Sequence, residues 1–199
     1  MEQLKARFIA LLSSVEREGM DDLLAYLESS DFYEAPASTK YHGAYKGGLV
    51  EHCLNVHEAL IFGLANLKES EFAIPPIKDD SVVIVALLHD LCKVNTYHED
   101  FKNVKNANGV WEKVPTFRRE PLLPMGHAGK SLFIIQKFIK LTVEEALAIY
   151  WHMGAYDTST YNTWDELSQA YNSTLLAFLL QQADMMATYI MENDLYRSV

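Results

Sequence analysis

Five stretches of this chain have the apolar spacing of helices, and each is marked by an imidazole or a carboxylate. His52 falls inside a run from Leu49 to about Leu67 that carries Cys53, Val56, Leu60, Ile61 and Leu64 on its apolar side. His89 and Asp90 close the continuous apolar run Val82 to Leu88. His127 opens a further helical segment, His152 closes one containing Leu147 and Ile149, and Asp184 stands in Gln182-Ala183-Asp184-Met185-Met186. An isolated carboxylate in a core costs several kcal/mol unless it is paired or bound to a metal. Taken singly, each placement has an ordinary explanation: a core histidine bonded to a neighbour, an aspartate on a helix face, a chance His-Asp doublet. Together, on five separate helices, they point to one shared site. Histidine and carboxylate are the ligands of Mn, Fe, Zn and related metals, and one carboxylate can bridge two ions.

The rest of the chain supplies a helical frame. Leu4, Phe8, Leu11, Leu12 and Val15 recur at a helix period. A second helix starts after Met20, with Asp21 and Asp22 at its positive end. Pro36, Gly43, Gly47 and Gly48 mark a structured loop over 30–48, and Pro75-Pro76 breaks the chain again. Ser81 to Cys92 is ambiguous by periodicity, since its β-branched run also suits a buried strand. Asn106-Ala107-Asn108-Gly109 predicts a turn between two extended runs, hence a hairpin within 95–120 that Pro121 and Pro124 close. A helix is expected over His127 to Lys140. Thr142 and Glu145 form a capping-box pattern for a helix reaching about Met153 and stopping at Gly154. A last long helix is read from Tyr171 to Asn193. The expected organisation is a single domain over 1–199, with N-terminal helices in 1–30 and the hairpin as an insertion.

Charge and composition narrow the function. The net charge of −10 opposes sequence-blind binding to long nucleic acid, although one locally cationic pocket is compatible with it. The longest apolar run is far short of the ~20 residues of a membrane span, and the N-terminus lacks signal architecture. Two cysteines, Cys53 and Cys92, are too few for a disulfide framework. They read as small apolar packing groups, and the expected location is cytoplasmic.

The order His52, His89-Asp90, His127, His152, Asp184 resembles the HD superfamily of metal-dependent phosphohydrolases. Local contexts agree: Gly-Gly-Leu-Val-Glu before His52, Leu-Leu-His-Asp-Leu-Cys-Lys around the doublet, and Met-Gly before His127. The stretch from Ala35 through His42 to His52 is similar to the HD half of certain bacterial 3′-to-5′ exoribonucleases. The resemblance spans roughly residues 20–192. It implies an all-α, HD-domain helical bundle around a metal site, with the hairpin as its β excursion, and it makes Ser81 to Cys92 a helix.

Carried over position by position, the resemblance implies that His52, His89, Asp90 and Asp184 hold a first divalent ion. Asp90 then bridges to a second, held also by His127 and His152. The metal is Fe, Mn, Ni, Zn or Co. Two such ions against two aspartates leave a pocket of about +2, attractive to an anionic substrate. Lys93, one helical turn after His89, reaches the cavity mouth and can meet a phosphate oxygen. His127 lies at a helix start, where the dipole favours the neutral imidazole that coordination needs. The implied activity is hydrolysis of a phosphodiester or phosphomonoester, on a nucleotide or short oligonucleotide, by a metal-activated water. Two alternatives stay open: an HD-fold di-iron oxygenase acting on a small polyol or phosphonate, and a non-catalytic nucleotide-binding module. Secondary candidates for phosphate are Lys46, Arg118, Arg119 and Lys130, each with a plain surface charge as its simpler reading. His42 faces substrate or caps its loop. Trp111 and Phe117 stack on a base or pack against the domain. His57 and His98 match no ligand position.

Overall fold

The continuous apolar run ending at Leu88 is explained by burial on every side. In the computed structural model, which describes residues 1–120, 123–157 and 163–196, Asp79–Leu88 forms a helix (α4) in which every residue from Ser81 to Leu88 is buried. Asp79 and Asp80 occupy its first turn, where carboxylates complement the positive helix end. Around α4 pack α1 (Glu2–Ser13), α3 (Gly48–Lys68), α6 (Val143–Trp151) and α8 (Leu175–Met186). A helix apolar all round belongs at such a centre. α2 (Met20–Ser29) leans on α1, and α5 (His127–Ile135) on α6.

The expected hairpin is present. β1 (Tyr97–Lys105) pairs antiparallel with β2 (Trp111–Arg119), from Tyr97 opposite Arg119 to Lys105 opposite Trp111. The Asn106 side chain accepts from the backbone N–H of Asn108 and Val110, both at 3.0 Å, which fixes the turn. The ribbon is mostly exposed, and Trp111 sits at its far end beneath the Lys105 ammonium, not against the helices. Pro121 lies outside the described residues.

The capping box also forms. Thr142 Oγ1 accepts from Glu145 N at 3.2 Å and Thr142 N donates to Glu145 Oε2 at 2.8 Å. Glu145 does more than cap. Its fully buried carboxylate accepts from Arg17 (2.6 and 3.0 Å) and from Ser81 (2.7 Å), tying the loop after α1 to the starts of α4 and α6.

Three helix ends depart from expectation. The helix expected through Cys92 stops at Leu88, and a separate 3₁₀ turn, Leu91–Lys93, follows His89 and Asp90. The helix from His127 stops at Ile135 and continues as turns. The long final helix divides in two. α7 (Thr163–Ser173) ends before Thr174, whose extended backbone and side-chain bond to Leu176 N start α8. Beyond Met186 the chain winds into one wider π turn, Ala187–Met191. Among the described residues, no helix is long and apolar enough to cross a membrane.

Candidate metal centre

Each polar interruption lands at one place. His52 projects from α3, and His89 and Asp90 follow α4 immediately. Lys93 ends a short 3₁₀ turn, Leu91–Lys93. His127 is the first residue of α5, His152 follows the last residue of α6, and Asp184 lies in α8. Asp90, buried, is the hub. Its Oδ1 accepts from His127 Nε2 at 2.7 Å and lies 3.8 Å from His152 Nε2. Its Oδ2 lies 2.5 Å from Lys93 Nζ, 3.5 Å from His89 Nε2 and 3.6 Å from His52 Nε2. Asp184 Oδ1 is 3.2 Å from His52 Nε2. The imidazoles neighbour one another in a chain, His52–His89–His152–His127, with ring centroids 5.4, 4.8 and 5.2 Å apart.

The hydrogen bonds behind two of these rings fix their chemistry. His89 Nδ1 is 2.9 Å from Ala86 O, and His152 Nδ1 is 2.6 Å from Ile149 O. A carbonyl only accepts, so each Nδ1 carries the proton, and in the neutral ring Nε2 is left with a bare lone pair. Both Nε2 atoms are buried and have no hydrogen-bond partner among the described residues. Buried nitrogens without partners are costly, and lone pairs facing a carboxylate repel it. A cation between them relieves both faults, so this donor set fits a divalent ion of the first transition row. Triads drawn from His52, His89 and Asp184, from His89, Asp90 and His152, and from Asp90, Cys92 and His127 each have ligand atoms within 4.8 Å of one another.

Protonation follows the same geometry. Burial and the neighbouring imidazoles push His152 down to about 3, so it is neutral at pH 7. Burial lowers His52 too, but carboxylates on both sides, Asp184 and Glu192, lift it to about 9. Asp90 is buried, which raises a carboxyl, yet Lys93 and the surrounding imidazoles hold it well below the usual range. For His127 the expected effect of the helix start is overridden. Burial disfavours its charge, but Cys92 beside it and the bond to Asp90 raise it to about 10.

The centre opens into a cavity of about 510 Å³. One wall is His52, Asp90, Lys93, His152 and Asp184. The exposed Tyr41, Tyr156 and Tyr189 also line it and form a rim. His42 also lines it, its ring tilted 36° to that of His52 with centroids 4.7 Å apart, and burial pushes its pKa down to about 4. The loop reading for His42 thus gives way to a cavity position. The other phosphate candidates do not line this cavity. Lys46 pairs with Glu34, and Arg118 with Asp100 and Glu120. Arg119 sits on the exposed ribbon. Lys130 is no surface charge: it is buried, and its ammonium donates to Thr96 Oγ1 at 2.9 Å. Trp111 and Phe117 belong to the ribbon, and His57 and His98 lie outside the cluster. Cys53 is buried, and desolvation raises its thiol pKa, as suits a packing group. Cys92 goes beyond packing: its Sγ lies 3.4 Å from His127 Nδ1.

Two residues that sequence reasoning passed over belong here. Glu192 accepts from His52 Nδ1 at 2.9 Å, and Asn55, one helical turn after His52 near the site, donates to the same oxygen at 3.0 Å. The Asn55 signal was its i+3 spacing from His52; Glu192 offered none, because its place depends on the π turn.

No family model matches the chain, and no solved structure matches it. Among curated proteins it is similar to the dihydroneopterin 2′,3′-cyclic phosphate phosphodiesterase of Methanocaldococcus jannaschii, with 29% identity over 89 residues. The match covers 45% of this chain and 32% of that protein, so the chain spans about a third of the relative's length.

Proposed function

We propose that this chain is a metal-dependent phosphohydrolase of the HD type, cleaving a phosphodiester or phosphomonoester in a small nucleotide-like molecule. The observation that carries this reading is the pair of buried Nε2 atoms, on His89 and His152, which face Asp90 at 3.5 and 3.8 Å with no hydrogen-bond partner among the described residues. The similarity to a cyclic phosphate phosphodiesterase supports the same chemistry.

In this reading His52, His89, Asp90 and Asp184 hold one divalent ion, and Asp90, His127 and His152 a second. Such an ion supplies Lewis acidity and lowers the pKa of a bound water towards ~7. The protein's own groups do the rest. Asp90 shares its two oxygens between the two halves of the site. Burial lowers the pKa of Lys93, but the Asp90 carboxylate more than offsets this, so its ammonium stays charged at the cavity wall and meets a non-bridging phosphate oxygen. The tyrosine rim offers rings for a planar base to stack on, which favours a nucleotide-like ester over a simple polyol. The acidic surface and a cavity of this size favour a small substrate over long RNA.

The test is elemental analysis of the purified chain, then a screen of 2′,3′-cyclic, 3′,5′-cyclic and monoester phosphates with Mn, Fe, Ni, Zn and Co. Metal content with phosphate-ester cleavage is expected, and Asp90→Ala should lose both the metal and nearly all turnover. Oxygen uptake by the iron form without ester cleavage would overturn the hydrolase reading in favour of an oxygenase. So would binding without turnover for every metal, which describes a non-catalytic module.

A further inference from the structure

His52 is supported differently from its companions. Ala86 and Ile149 carbonyls aim His89 and His152, whereas a side chain, Glu192, aims His52. Glu192 Oε1 takes two hydrogen bonds, from His52 Nδ1 at 2.9 Å and Asn55 Nδ2 at 3.0 Å, and the carboxylate is almost fully enclosed, at 2% exposure. Asp184 and Glu192 thereby bracket one imidazole, Asp184 at Nε2 and Glu192 at Nδ1.

Their spacing is not that of a regular helix. In an unbroken α-helix a residue eight positions after Asp184 lies about 80° round from it. Here Glu192 N bonds to Ala187 O at 2.9 Å, a five-residue step. One wider turn swings Glu192 to the α3 side, facing His52. Such π turns are rare and concentrate at functional sites.

We infer that Glu192, placed by the Ala187–Met191 turn, is a positioning residue for metal binding: it locks His52 with the proton on Nδ1 and strengthens Nε2 as a ligand. A carboxylate behind a ligating imidazole fixes its tautomer and ring orientation and raises its basicity, and losing it typically weakens metal affinity 10- to 100-fold. The inference rests on the metal-centre reading above.

The experiment is chelator competition with Zn²⁺ on the full chain, comparing wild type, Glu192→Gln and Glu192→Leu, with thermal melting of the same proteins stripped of metal. Glu192→Leu should weaken Zn²⁺ binding 10- to 100-fold. Glu192→Gln should lose less, since its amide oxygen still accepts from Nδ1–H, and it carries the test if the leucine variant does not fold. The Co²⁺-loaded Gln variant should also show a shifted visible spectrum. If Glu192 only pins the C-terminal segment to α3, melting of the stripped protein falls while Zn²⁺ affinity stays within about twofold of wild type, and the inference is overturned. Failure of wild type itself to bind Zn²⁺ or Co²⁺ would instead remove the metal-centre reading.

Discussion

Lys93 and Asp90 are the pair on which the chemistry of single residues turns. The ammonium and carboxylate, both largely buried, approach to 2.5 Å, and His127 bonds the other oxygen of the same carboxylate. Lys93→Met leaves Asp90 with its histidine neighbours, so metal content should persist. Turnover should fall by roughly 10²- to 10³-fold, the usual loss when one preorganised donor to a charged transition state is removed. Steady-state kinetics beside elemental analysis checks it; loss of metal in parallel would make Lys93 a support for the carboxylate and not a substrate contact. At this scale the sequence was informative about which groups meet. His52, His89, Asp90, His127, His152 and Asp184 were all legible as polar breaks in apolar helices, and they converge. Cys92 and Lys130 were not, since a thiol and a lysine read equally well as packing and surface until their neighbours are known. Whether Lys130 borders Thr96 or solvent depends on how α5 lies against the turn after α4.

Among the elements, the loop from Ala35 to Gly48 sets where α3 starts, and with it His42 and His52. Gly48 is packed so tightly on the loop that an added methyl group would run into the backbone carbonyl of Gly43. Gly48→Ala should therefore destabilise the fold by about 1–3 kcal/mol, as overpacking does, and weaken metal binding by displacing His52. Thermal melting and chelator competition measure the two effects; an unshifted melting curve would mean the loop gives way freely. The ribbon β1–β2 makes the opposite prediction. It is exposed along most of both strands and carries Lys102, Lys105, Lys113, Arg118 and Arg119. Limited trypsin treatment should nick it before the helices, as mass spectrometry of early fragments would register. Both elements were legible, the loop from its glycines and the hairpin from Asn106 to Gly109. The split of the last helix at Thr174 was not. Leu175, Phe178 and Leu179 keep a helical period that hides a cap, and no side-chain pattern announces a π turn.

For the molecule as a whole, Glu145 is the interior clamp, joining three segments through Arg17, Ser81 and the Thr142 cap. Burial raises its carboxyl pKa, but the Arg17 guanidinium and the bonds from Thr142 and Ser81 outweigh burial and lower it. A carboxyl depressed in the folded state stabilises it above the unfolded pKa of ~4.3, and that contribution fades as pH falls through the folded value. Glu145→Gln should lower stability at pH 7 by roughly 3–5 kcal/mol, because Arg17 loses its partner, or a melting shift of about 10 °C. It should also flatten the acid limb of a stability-against-pH curve. An acid limb identical to wild type would place that dependence elsewhere. The cap was legible from Thr142 and Glu145, but the clamp was not, since Arg17 and Ser81 are 128 and 64 positions distant from Glu145.

The main-chain carbonyls behind His89 and His152 carry a consequence for how such a centre can change. No amino-acid exchange deletes a peptide oxygen, so the aim of those two rings survives substitution of any neighbouring side chain that leaves the backbone in place. His52 leans on a replaceable acid. Drift in metal preference, natural or engineered, therefore has one accessible corner, and variation selected for a different ion should gather around Asn55 and Glu192.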